Sequence, residues 1–125
     1  YNLVFFSNNS VDIYNPKFIR ATQGYFYSLK IIRGDIKEFI LKLKDNNYDI
    51  ISTYLDNSSI NINNIETKEK HCVVMGNEGK GVSKEIISLS NIKTIIPMSN
   101  IVDSLNVSVA SGIVMYKINE KLIEK

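Results

Sequence analysis

Cysteine is almost missing from this chain. Cys72 is the only one in 125 residues, so no disulfide can form within it and a disulfide-stapled scaffold is excluded, which favours a reducing compartment. Cys72 lies in the apolar run His71-Cys-Val-Val-Met75, where a lone thiol reads as a small buried hydrophobe. No apolar stretch is long enough to span a bilayer and no signal-peptide pattern is present, so the expected location is cytoplasmic and no membrane partner is expected. Charge of one sign is not in excess either. Fifteen Lys and Arg against thirteen Asp and Glu leave a net charge of +2. That excludes a strongly basic nucleic-acid clamp and leaves any phosphate contacts to local clusters or a partner subunit. No internal repeat and no metal-ligand cluster are visible.

What is present fits one ordinary α/β domain. The length allows a real core without metal or disulfide help, and apolar runs alternate with helical patterns throughout, the pattern of a mainly parallel sheet flanked by helices. Leu3-Val-Phe-Phe6 reads as a buried strand ended by Ser7-Asn-Asn-Ser10. Starting this close to a core strand, the domain is expected to have a further segment upstream. Asn15-Pro16 is a turn signal, Lys17 to Ala21 fits a short helical turn, and Gly24-Tyr-Phe-Tyr27 is a second apolar run. Gly34-Asp35 opens the clearest amphipathic helix, with Ile36, Phe39, Ile40 and Leu43 on one stripe and Asp35 with Glu38 as a capping box. Tyr48 to Leu55 reads as a strand. Asp56 to Lys70 is polar and reads as a surface connection with one short strand near Ile60.

Strand His71–Met75 runs straight into Gly76-Asn-Glu-Gly-Lys-Gly81, followed by a helix from about Ser83. In a parallel sheet such a loop sits at the carboxyl ends of the strands, where ligands bind. Glycines there permit positive φ and close backbone approach. The spacing is too short for a Walker A loop, and the dinucleotide fingerprint would need the reverse order. Glu78 would repel a phosphate, so an uncharged or cationic ligand is easier. The bland alternative is a tight turn that binds nothing.

A strand Lys93–Ile96 ends at Pro97-Met98, and Ser99 to Asp103 reads as a short loop before a long final helix. Ser104 is the expected cap of that helix, with Asn106 buried in its first turn and needing partners. Leu105, Val107, Val109, Ala110, Ile113, Val114, Met115, Tyr116 and Ile118 make the helix apolar nearly all round, so burial on most sides is expected, partly by a second subunit. Ser104 and Asn106 could also simply stitch this helix start to the glycine-rich loop.

Val73-Val-Met-Gly-Asn-Glu-Gly-Lys-Gly-Val-Ser83 and Ile96-Pro-Met98 with Asp103-Ser-Leu-Asn-Val-Ser-Val-Ala110 resemble the second and third signature motifs of the SpoU/TrmH family of RNA ribose 2′-O-methyltransferases. Asp12-Ile-Tyr-Asn-Pro-Lys-Phe-Ile-Arg-Ala-Thr-Gln-Gly24 resembles the family's intermediate segment in its ribosomal-RNA form. The resemblance runs in order from Leu3 to about Ile118. It implies an α/β-knotted (SPOUT) fold with a C-terminal trefoil knot, bound S-adenosylmethionine, a homodimer with its active site at the interface, and an RNA substrate, ribosomal RNA before tRNA. Carried over by position, Gly76, Asn77, Glu78 and Gly79 would wall the cofactor pocket. Ile96, Met98 and Leu105 would cradle the adenine, and Thr53 and Gly24 would join the same pocket. Ser104 and Asn106 would stand beside the reacting centre, with Glu78 ordering the loops. Lys17 and Arg20 would contact RNA phosphates or serve structure. The family's proton-removing arginine belongs to a first motif, an Asn…Arg segment, which does not precede Tyr1 here. Asn100 and Asp103 stand where glycine and glutamate are more usual. The alternative is a non-catalytic, dimeric RNA- or cofactor-binding module with the same knot.

Overall fold

The computed structural model describes residues 1–99 and 104–124, without the side chain of Phe26. The chain divides into two compact units, Tyr1–Phe39 and Ile40–Lys125, with the boundary inside one helix.

In the first unit, β1 (Leu3–Ser7) pairs in parallel with β2 (Lys30–Gly34), Phe5 opposite Ile32. Between them lies α1 (Pro16–Ala21). Asn15 caps it, its side-chain oxygen accepting from Lys17 N at 2.9 Å, and Pro16 stands at the first helical position, where its missing N–H costs nothing. Phe18 reaches back edge-on to Phe6, ring centroids 5.6 Å apart, and Phe5 stacks on Phe39 at 4.1 Å. The apolar run Gly24–Tyr27 does not become a strand. Gly24, at φ +85°, starts a 3₁₀ turn over Tyr25–Ser28, and Tyr25 and Tyr27 are exposed. The strand comes just after it, at Lys30–Gly34, where Lys30 and Arg33 break up the apolar pattern.

Helix α2 (Ile36–Asp45) starts as its cap signal says, Asp35 accepting from Glu38 N at 2.9 Å, and it buries Ile40. The second unit then builds a four-stranded sheet from β3 (Asp49–Thr53), β4 (Ile60–Asn61), β5 (His71–Val74) and β6 (Ile92–Ile95). All pairings are parallel, in the order β4-β6-β3-β5. Parallel neighbours need crossovers, and α3 (Lys84–Leu89) supplies the one from β5 to β6. The last element is α4 (Val107–Ile123).

The core joins Ile51 of β3 and Val114 and Ile118 of α4 to Ile62 and Ile65. Those last two correct the reading of residues 56–70 as a surface connection. Asn61 caps a short turn by accepting from Asn63 N at 2.9 Å, and this turns two isoleucines three residues apart into the core. Ser52 and Thr94 are fully buried but satisfied. The Ser52 hydroxyl meets that of Ser90 at 2.6 Å, and Thr94 donates to Ile60 O at 2.9 Å. Helix α4 is less enclosed than its composition suggests. Val114 and Ile118 are buried, whereas Val109, Tyr116 and Ile123 are exposed. Among the described residues no helix is long and apolar enough to cross a membrane.

Candidate functional site

Because its strands are all parallel, the second unit gathers every strand exit at one edge. Thr53 ends β3, Gly76–Gly81 follows β5, and Ile96–Met98 follows β6, with Thr53 opposite Thr94 in register. The glycine-rich segment folds into a closed turn. Asn77 and Gly81 exchange backbone hydrogen bonds, Asn77 N to Gly81 O at 3.2 Å and Gly81 N to Asn77 O at 2.8 Å. The Asn77 side chain accepts from Gly79 N at 2.9 Å, a local bond typical of asparagine in turns. The sequence placed Asn77 on the pocket wall but did not show this role.

The glycines serve different needs. Gly81 adopts φ +66°, which L-residues rarely take. At Gly76 the need is space, because an added Cβ would stand 2.1 Å from Gly81 C and 2.3 Å from Val82 N. Gly79 is under neither constraint, since a Cβ there would make only an ordinary contact with Asn77 Oδ1 at 3.6 Å. Ser83 then caps α3, accepting from Ile86 N at 3.4 Å.

The start of α4 corrects two expectations. The cap is Asn106, not Ser104, and Asn106 is exposed, not buried. Its Oδ1 accepts from Ser108 N at 2.9 Å, and its Nδ2 donates to Glu78 Oε1 at 3.1 Å. An amide can do both at once, its oxygen capping the helix while its nitrogen donates to the loop. The segments resembling the family's second and third motifs therefore meet through one side-chain pair, 28 residues apart in sequence.

Around this pair, Asn77, Glu78, Gly79, Met98 and Ser104 are exposed, while Thr53, Gly76, Ile96 and Leu105 are half-buried. Ile96 packs on the core, so it can offer a ligand one face only. The expectations for Asn100 and Asp103, and for the loop they close, lie outside the described residues. Lys17, Arg20 and Gly24 belong to the first unit. There Lys17 and Arg20 are exposed on α1, with Arg20 Nε donating to Pro16 O at 3.3 Å. A cavity of about 300 Å³ lined by Ile65, Thr67, Lys121 and Leu122 among others lies toward the amino end of β5, away from these residues. Cys72 is half-buried in β5, and burial pushes its thiol up to about 11, so it is a packing residue and not a nucleophile.

The second unit is an α/β unit with a closed glycine turn at the carboxyl end of a parallel sheet, tied by the Glu78 carboxylate to the cap of the final helix, and the spacing of the turn is not that of a phosphate loop. A sequence model of the SpoU rRNA Methylase family matches residues 1–116, and the chain belongs to that family. It is 37% identical over 86 residues to a tRNA (guanosine(18)-2′-O)-methyltransferase of Aquifex aeolicus, covering 69% of this chain and 41% of the relative. It is 26% identical over 113 residues to a 23S rRNA (guanosine(2553)-2′-O)-methyltransferase of Bacillus subtilis, covering 90% and 45%. The fold matches the crystal structure of an AdoMet-bound rRNA methyltransferase from Sinorhizobium meliloti with a TM-score of 0.89 at 24% identity, covering 97% of this chain and 46% of that one. The chain thus spans less than half the length of each of these proteins.

Proposed function

We propose that this chain is the cofactor-binding domain of an RNA ribose 2′-O-methyltransferase that uses S-adenosylmethionine. The observation that carries the reading is the Asn106–Glu78 hydrogen bond at the carboxyl edge of the sheet, which joins the two segments resembling the family's second and third motifs. The residues suit the cofactor. A nucleoside with a sulfonium needs no phosphate cradle, and the turn offers the Glu78 carboxylate and exposed backbone next to its one cation, Lys80. Ile96, Met98 and Leu105 supply apolar surface at the same edge for a flat base.

When bound, the cofactor supplies an already activated methyl group. The protein's task is then to align a ribose hydroxyl and help remove its proton. In this reading Gly76, Asn77, Glu78 and Gly79 form one wall of the site, with Thr53 beside it. Glu78 orients Asn106, and Ser104 and Asn106 face the reacting centre. Lys17 and Arg20 contact RNA phosphates. The form of the Asp12–Gly24 segment favours ribosomal RNA over tRNA. The exposed apolar residues of α4 favour a homodimer, and the knot and a cytoplasmic location follow from the family.

Calorimetric titration with S-adenosylmethionine, followed by methyl transfer to ribosomal RNA and tRNA lacking the modification, tests the proposal. Saturable binding and a 2′-O-methyl product are expected. A folded chain that takes no heat from the cofactor would sink the proposal. Cofactor binding by an enzyme preparation that never methylates RNA would leave the non-catalytic module as the better reading.

A further inference from the structure

From Ile13 to Gly34 the chain carries Lys17, Arg20, Lys30 and Arg33 and not one Asp or Glu. Elsewhere acids and bases are mixed, so this stretch concentrates positive charge in a nearly neutral protein. Among the described side chains it also holds the most exposed aromatic ones of the first unit: Tyr14 is 71%, Tyr25 71% and Tyr27 81% exposed. Tyrosine rings this open to water present flat apolar faces to another molecule. The backbone links two of them directly to the helix that carries Lys17 and Arg20. Arg20 O accepts from Gln23 N at 3.2 Å and Thr22 O from Tyr25 N at 3.0 Å, so the end of α1 and the Tyr25–Ser28 turn form one continuous folded segment. Phe18 packs inward against Phe6 and anchors that segment to β1.

Flat rings beside exposed cations are the elements with which proteins hold single-stranded nucleic acid, bases stacking on the rings and phosphates meeting the cations. A duplex hides its base faces and would engage the cations alone. We propose that Tyr25 and Tyr27, with Tyr14 nearby and Lys17 and Arg20 beside them, form a docking platform for an unpaired RNA segment. The platform would deliver a loop or bulge, not a helix, to the methyltransferase. The inference deepens the reading of the chain as an RNA-modifying domain, but RNA binding here does not require the cofactor site to work.

The test is equilibrium binding of the full chain to a fluorescently labelled oligouridine, with a blunt RNA duplex and inorganic polyphosphate as competitors. Oligouridine is expected to win over both. Tyr25→Ala and Tyr27→Ala should each weaken it by about tenfold, while Tyr27→Phe, which keeps the ring, should stay within about twofold. Lys17→Ala with Arg20→Ala should instead flatten the salt dependence, by about 0.7 in log–log slope for each phosphate no longer neutralised. Both tyrosines are largely exposed, so the variants are expected to keep the fold, which circular dichroism checks. Equal competition by polyphosphate, or full affinity in the doubly substituted tyrosine variant, would overturn the platform. Failure of S-adenosylmethionine to bind would overturn the enzyme reading and leave these results standing.

Discussion

The two ends of the four-stranded sheet are built differently. At the amino end, Asp49 accepts from Thr67 Oγ1 at 3.1 Å and from Lys68 N at 3.0 Å, with Lys68 Nζ 3.4 Å from its other oxygen. Asn91 and Ile50 exchange two hydrogen bonds beside it, at 2.9 and 3.1 Å. The Asp49 side chain is only 13% exposed. At the carboxyl end, polar residues stand in solvent and rely on a few local bonds, with Asn106–Glu78 tying the turn to α4. Polar groups at the amino end close the frame. Those at the carboxyl end are solvent-exposed and make few bonds within the chain. That division is expected of parallel sheets, whose ligands gather where the strands exit.

The largest effect on this contrast should come from Gly76→Ala. With Gly81 C only 2.1 Å from the new Cβ, the turn must open. A loss of about 3 kcal/mol is expected by chemical denaturation, together with loss of detectable cofactor binding. Wild-type values for both would show that the close approach is unimportant. Next comes Asp49→Ala, at about 2 kcal/mol for a charged group bonded to backbone and hydroxyl, with cofactor affinity unchanged. Burial opposes ionisation of Asp49, but the Lys68 amide, the Thr67 hydroxyl and the Lys68 charge outweigh it and hold the carboxyl below its usual range. The wild type therefore keeps its full advantage over the variant above the ordinary carboxylate range and loses it as pH falls through the lowered native value. A gap that is constant with pH, or a loss of cofactor affinity in this variant, would break the division between the two ends.

Both ends were legible in the sequence to unequal degrees. The glycine turn, the strand feeding it and the helix after it could be read because strand periodicity, glycine and a serine cap coincide within a dozen residues. The Asp49 network could not. It joins a strand start to a threonine and a lysine some twenty positions away, and no local pattern encodes such a bond. Ile62 and Ile65 were hidden in a polar stretch for the same reason, since a capped three-residue turn decides which way they face. Strand Lys30–Gly34 escaped notice because its charged residues mask the alternation. At the start of α4, Ser104 and Asn106 are both good caps by type. Only the partner at Glu78 selects the asparagine.

A smaller effect separates two duties of that asparagine. Asn106→Ala removes the cap and the Glu78 bond together, so a stability loss of about 1 kcal/mol and roughly tenfold weaker cofactor binding are expected. Asn106→Asp keeps a good cap but turns the donor into a carboxylate facing Glu78. Its melting temperature should stay near wild type while its cofactor affinity falls. If affinity follows stability in both variants, the bond is only a fastening of the helix.

The smallest effect is read at Cys72, which lies in β5 between the two ends, opposite Ile50. Burial raises its thiol to about 11, so at pH 8 little of it is thiolate and labelling by a disulfide reagent should be about a hundredfold slower than for a free cysteine. The rate should climb as pH approaches 11. An unfolded thiol ionises earlier than the native one, so above the ordinary thiol range the native state also loses stability as pH rises. The variants then rank by where they act. Asn106→Ala should leave the rate unchanged, because it frees only the start of α4. Gly76→Ala strains the turn that continues β5 and should raise the rate. Fast labelling in the wild type would mean that burial does not protect Cys72, and equal rates in the two variants would mean that the Gly76 turn does not strain β5.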